Sequence, residues 1–269
     1  MNSTTRANQD LQTAAGLVAP SETPILLVTG ASRGIGAACA RHAAAQGWDV
    51  AVNFARDAEA AEAVAAAVRD HGRRAITVQA DVASEPQVLA MFQRIDAELG
   101  RLTGLVNNAG IVDMKARLDE MSVARWRRML DVNLIGSWLC AREAVRRMST
   151  RHGGAGGAIV NLGSVASVLG APGMYVDYAA SKGAIDSFTV GLARELATEG
   201  VRVNAVRPGI IDTEIHAHSG DAQRAFKSAD VIPMQRPGTA DEVAEAIVWL
   251  LSPAAAYVTG GVVPVSGGR

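Results

Sequence analysis

The strongest constraint on this chain is its regular alternation of short β-rich apolar runs with longer, Ala-rich helical stretches. From Pro24 onward, Ile25–Thr29, Val50–Phe54, Ala75–Gln79, Leu105–Asn108, Ala158–Leu162, Val201–Val206 and Val262–Val265 read as strands. Between them, Ile35–Gln46, Asp57–His71, Glu85–Leu99, Val123–Met148, Tyr178–Glu199 and Asp241–Leu251 read as helices, several stopped by a glycine such as Gly47, Gly72, Gly100 or Gly200. Runs that are continuously apolar belong to strands covered on both faces. The pattern predicts an α/β fold: a doubly wound, seven-stranded parallel sheet with helices on both faces, in a single domain over residues 24–269. Residues 1–23 are polar, Ala-rich and aperiodic, which predicts a disordered tail and no secretory signal.

The charge balance excludes several partner classes. Twenty-six basic against 27 acidic side chains leave a net charge of −1, without the basic excess that a nucleic acid or an anionic membrane attracts. No apolar run approaches the ~20 residues of a membrane span. Cys39 and Cys140 lie far apart in helical stretches, as expected of small reduced core residues in a cytoplasmic protein. No Cys/His set has zinc spacing, and His216 and His218 are two apart, a poor geometry for one ion, so no metal is expected.

The first strand-to-helix junction is Thr29-Gly-Ala-Ser-Arg-Gly-Ile-Gly36. Glycines there permit a tight turn and close approach to a pyrophosphate, which meets the free N–H groups of the next helix. Gly30, Ser32, Arg33, Gly34, Ile35 and Gly36 are therefore candidate dinucleotide contacts. An NAD-selective site places a carboxylate about 20 residues further on. Here that place holds Asn53-Phe54-Ala55-Arg56, and Asp49 falls at the wrong end of the strand. Arg33 and Arg56 without an acid favour a ribose 2′-phosphate, hence NADP(H) over NAD(H).

Tyr178-Ala-Ala-Ser-Lys182 opens a helix with phenol and ammonium one turn apart on one face. A free tyrosine titrates near 10, and a neighbouring ammonium lowers that by roughly 1–3 units, toward proton exchange with a substrate oxygen. Ser164 ends the fifth strand, and Asn107-Asn108-Ala109-Gly110 ends the fourth, both at the edge where open α/β sheets bind ligands. Asn133 sits inside a helix, an unfavourable place for Asn.

These motifs, in this order and at these intervals, together with Pro208-Gly209, resemble the short-chain dehydrogenase/reductase superfamily over Pro24–Arg269. The resemblance is nearest to its bacterial branch of glucose dehydrogenases, 3-oxoacyl-carrier-protein reductases and uncharacterised oxidoreductases. It implies Tyr178 as the acid/base, Lys182 as the group that lowers its pKa and binds the nicotinamide ribose, and Ser164 as the holder of the reacting oxygen. Asn133 would anchor a water linking Lys182 to solvent. Asp81 and Val82 would meet the adenine, Asn108, Ala109 and Gly110 its ribose side, and Pro208, Gly209, Ile211 and Thr213 the nicotinamide. The implied activity is interconversion of a carbonyl and a secondary alcohol, in a homo-tetramer joined through the helices carrying Asn133 and Tyr178, with Leu134, Trp138 and Val145 as apolar interface. A sugar dehydrogenase and a non-catalytic NADP sensor are the alternatives. The sensor would ordinarily lack Tyr178 or Lys182. Two segments, Val168–Asp177 and Glu214–Gln235, should meet the substrate, and Arg224 and Lys227 are their only candidates for a basic patch.

Overall fold

The structure, a computed structural model, describes residues 23–214 and 224–269. The first 22 residues of the expected tail, and with them nothing of the sheet, lie outside it, as do His216 and His218. The seven strands are β1 (Ile25–Val28), β2 (Asp49–Phe54), β3 (Ala75–Gln79), β4 (Gly104–Asn107), β5 (Gly157–Leu162), β6 (Val201–Pro208) and β7 (Val262–Val265). All pair in parallel in the order β3-β2-β1-β4-β5-β6-β7. The winding reverses between β1 and β4, which opens a crevice beyond their carboxyl ends.

Among the described residues seven longer helices cover the sheet: α1 (Gly34–Ala45), α2 (Ala58–Asp70), α3 (Glu85–Glu98), α4 (Val123–Leu130), α5 (Gly136–Met148), α6 (Val176–Leu196) and α7 (Ala240–Leu251). β1 shows why its sequence is apolar throughout. Leu26 and Val28 face Ala38, Ala43, Val64 and Val68 of α1 and α2 and Ile247 of α7. Ile25 and Leu27 face Phe92 and Ile95 of α3, Cys140 of α5 and Leu196 of α6. A period of two with helices on both sides leaves no polar position. The cysteines lie in these two opposite cores, and burial pushes the Cys140 thiol up to about 12, so neither is a ready thiolate.

Sequence punctuation sets the helix ends. Asp57 caps α2 by accepting from the Ala60 N–H at 3.0 Å, and Thr239 with Glu242 forms a capping box on α7. One expectation changes. The single helix over Val123–Met148 is two, α4 and α5, joined by a π-helical turn at Asp131–Ile135 that contains Asn133. Single π turns interrupt helices where a side chain is needed off the regular ladder. At the amino edge of the sheet Asp49, 1% exposed, takes bonds from the Arg73 and Arg74 guanidiniums at 2.6–3.1 Å, which confirms it as remote from the ligand edge.

Candidate active site

The glycine loop is held from behind. Gly30 and Gly34 adopt left-handed backbone, at φ 61° and 54°. A Cβ on Gly36 would come within 2.5 Å of the Asn108 amide nitrogen and 2.6 Å of the Gly30 carbonyl, so no side chain fits. The Asn108 amide donates to the carbonyls of Thr29 and Gly30 at 2.8 and 3.0 Å, and Thr29 Oγ1 accepts from the N–H groups of Asn108 and Ala109, both at 3.0 Å.

The structure revises the expectation for Asn53. Its side chain is 1% exposed, accepts from the Gly30 N–H at 3.1 Å and donates to the carbonyls of Val78 and Ala80. These bonds tie β2 to the loop and to the end of β3, so the side chain braces the loop instead of facing a ribose. Arg33 and Arg56 are both exposed. The N-terminus of α1 has no side-chain cap and no acidic residue in its first turn, which suits an anionic pyrophosphate. Ser32, Arg33, Gly34 and Thr213 line a cleft of about 720 Å³ running between α1 and α2. Ile35 packs into the core and offers only backbone.

Asp81, past β3, is half exposed at the same edge and pairs with Arg128 at 3.0 Å, while Val82 is buried against Gly136, where a Cβ would lie 2.7 Å from it. On the other side of the crevice, Gly209 is pinned by its N–H to the Val265 carbonyl, and Ile211 pairs with Gly238.

The catalytic candidates converge. Lys182 is buried, and its ammonium donates to the Leu162 carbonyl at 2.6 Å and lies 5.8 Å from the centroid of the Tyr178 ring. Burial draws that ammonium down to about 8, against an opposing pull from Asp186. Asn133, fully buried, accepts from the Ile111 N–H at 2.8 Å and donates to the Ile111 carbonyl and Ser181 Oγ. A Cβ on Gly110 would lie 3.4 Å from Asn133 Oδ1 and 3.7 Å from Lys182 Nζ, so Gly110 is the bare step between them. Ser164 Oγ accepts from the Ala166 N–H at 3.1 Å, which leaves its own proton free to donate.

Sequence reading missed several supporting residues. Asp177 accepts bidentately from Arg125 at 2.7 and 3.1 Å and takes the Tyr178 N–H at 2.9 Å, fixing the start of α6. Asn107, Asn161 and Thr189 form a buried relay across β4, β5 and α6. Both sets join residues distant in sequence, and only the repeated Asn at strand ends hints at the second.

Comparison with known proteins agrees with this geometry. Residues 30–269 match a family model described as Enoyl-(Acyl carrier protein) reductase. The chain is 52% identical to an uncharacterised oxidoreductase, YgfF, of Escherichia coli over 91% of its length and 99% of that protein. It is 44% identical to the cis-4-hydroxycyclohexanecarboxylate dehydrogenase of Sinomonas cyclohexanicum, over 91% of this chain and 95% of the other. A short chain dehydrogenase from Burkholderia cenocepacia, solved in complex with NADP, superposes with a TM-score of 0.83 at 36% identity, covering 91% and 97% of the two chains. Fold, crevice and relatives agree, and the chain belongs to the short-chain dehydrogenase/reductase superfamily, a family of oxidoreductases acting on alcohols and carbonyls.

Proposed function

We propose that this protein is an NADP(H)-dependent oxidoreductase that interconverts a small-molecule carbonyl and a secondary alcohol. The observation that carries the reading is the buried Lys182 ammonium 5.8 Å from the Tyr178 ring, beside Ser164 at the carboxyl edge of β5. Bound NADPH supplies the hydride. Tyr178 gives its phenolic proton to the carbonyl oxygen as charge develops there, and the Ser164 hydroxyl donates to the same oxygen. Lys182 holds positive charge beside the phenol, which eases loss of the proton. Asn133 fixes the Gly110–Ile111 step against Lys182.

Exposed Arg33 and Arg56, with Asp49 consumed at the far edge, support NADP(H) over NAD(H). The test is NADPH and NADH absorbance against ketones, 3-oxoacyl thioesters, sugars and alicyclic hydroxy acids. Turnover with NADPH and a ketone or its alcohol is expected; turnover only on sugars selects the sugar dehydrogenase, and binding without any turnover selects the sensor.

The same reading places residues 24–269 in one domain of a cytoplasmic homo-tetramer. Its support is the exposed face of Leu130, Ile135 and Trp138 on α4, the π turn and α5. Val145, expected on that face, is half-buried against the core. Light scattering that gave a monomer at micromolar concentration would contradict the assembly.

A further inference from the structure

Lys182 is a buried cation whose ammonium meets a carbonyl, Leu162, and among the described residues no carboxylate directly. One turn further along α6 lies Asp186, 9% exposed, at the i, i+4 position where opposite charges support each other along a helix. Its Oδ2 accepts from Arg207 of β6, Nε at 3.1 Å and Nη2 at 3.0 Å. Its Oδ1 has no hydrogen-bond partner among the described residues. That oxygen points at Gly163, where a Cβ would lie 3.0 Å from it and 3.3 Å from Arg207 Cγ. Gly163 is the residue between Leu162, which receives the Lys182 ammonium, and Ser164. The missing side chain at 163 is what gives the carboxylate and the arginine stem room at the end of β5.

We propose that Asp186 is the buried counter-charge that keeps Lys182 protonated at neutral pH, with Arg207 holding it in place and moderating its field. This rests on the reading that Tyr178 and Lys182 act together on the substrate proton. Asp186 touches no reacting atom and acts through Lys182, so it is a positioning residue. A lysine removed from water surrenders its proton unless a negative charge opposes the loss. The balance of burial against Asp186 already described for Lys182 has that form.

The other charged or titratable groups around the pair are few. Tyr178 lies one turn before Lys182 on α6, and Arg207 comes from β6. β5 offers the Leu162 carbonyl, Gly163 and Ser164, and the facing loop and π turn offer Gly110 and Asn133, all uncharged. Asp177 is engaged by Arg125. Removing the negative charge of Asp186 lowers the pKa of every neighbouring acid, ammonium and phenol alike. Removing the positive charge of Arg207 raises them. The sign therefore does not depend on which of the two groups releases the proton.

The chain has only three lysines, Lys115, Lys182 and Lys227, so the 13Cε resonance of Lys182 in lysine-labelled, cofactor-free protein is assignable by replacing the other two with arginine. Its titration midpoint is expected near 8 in the parent. Asp186→Asn should lower it by about one pH unit, Asp186→Glu should restore it, and Arg207→Gln should raise it by less. The alkaline limb of NADPH-dependent reduction should move the same way in each variant. A folded Asp186→Asn variant whose midpoint stays put or rises overturns the proposal. Should that variant fail to fold, Asp186→Ser decides in its place, a downward shift supporting the proposal and no shift or a rise overturning it. The resonance needs no substrate, so failure of every carbonyl to react would sink the proposed activity and leave this titration standing.

Discussion

Asp49, at the start of β2, and Lys182, reaching from α6 to the end of β5, are both almost completely buried, yet the two edges of the sheet treat them in opposite ways. At the amino edge, burial opposes ionisation of Asp49, but the Arg74 N–H and the guanidiniums of Arg74 and Arg73 outweigh it and hold the carboxyl below its usual range. At the carboxyl edge, burial of Lys182 prevails and leaves its ammonium at about 8. One edge satisfies its charge with direct partners and so contributes stability. The other leaves charge poised within reach of a phenol and a hydroxyl, which costs stability and prepares chemistry.

The two edges should therefore answer pH with different signs. Asp49 has a depressed folded pKa, so its contribution is present above the ordinary carboxylate range and is lost as pH falls through the folded value. Lys182 has a folded pKa below its unfolded 10.5, so the unfolded chain binds more protons between about 8 and 10.5, and stability should rise with pH across that window as far as this group decides it.

Substitutions sharpen the contrast. The largest effect is expected for Lys182→Ala, which should cut turnover by ~10²–10⁴-fold, weaken NADPH binding and leave a residual rate shifted to higher pH. Kinetics and cofactor titration on the same preparation check it, and a variant with parent activity would erase the distinction between the edges. Asp49→Ala should do the reverse. Losing the bonds to two partly exposed guanidiniums and to the Arg74 N–H should cost about 1–2 kcal/mol of stability, visible in denaturant unfolding, with kcat of the folded enzyme unchanged. The smallest effects belong to the exposed rim. Arg33→Ala and Arg56→Ala should each raise the Kd for NADPH about tenfold, the loss of one charge-assisted phosphate contact, and leave the Kd for NADH alone. Equal losses for both cofactors would mean that neither arginine reads the 2′-phosphate.

Much of this was legible in the residues. The βα alternation located all seven strands because a sheet covered on both faces writes itself as uninterrupted apolar runs. Thr29–Gly36 and the Tyr178/Lys182 spacing marked the site because local geometry alone, a glycine turn and a helical i, i+4 pair, generates them. The π turn was hidden because Asp131–Ile135 has helical periodicity, and only the buried Asn133 side chain reaching Ile111 marks the bulge. The inward turn of Asn53 was hidden as well, since its partners Gly30, Val78 and Ala80 lie on other strands and loops. Asp186 and Arg207 escaped for the same reason: their meeting depends on the register of β6 beside β5 and on the bare backbone at Gly163.

The central claim is that the carboxyl edge moves a proton through Tyr178, and Tyr178→Phe isolates it because the ring and its packing remain while the transferable proton is gone. The measurement is the rate of NADPH oxidation with the best carbonyl found for the parent, alongside the NADPH dissociation constant of the variant. The account predicts a loss of at least ~10²-fold in rate with the dissociation constant nearly unchanged; a variant retaining more than about a tenth of the parent rate, well short of the loss expected of a general acid, would contradict it.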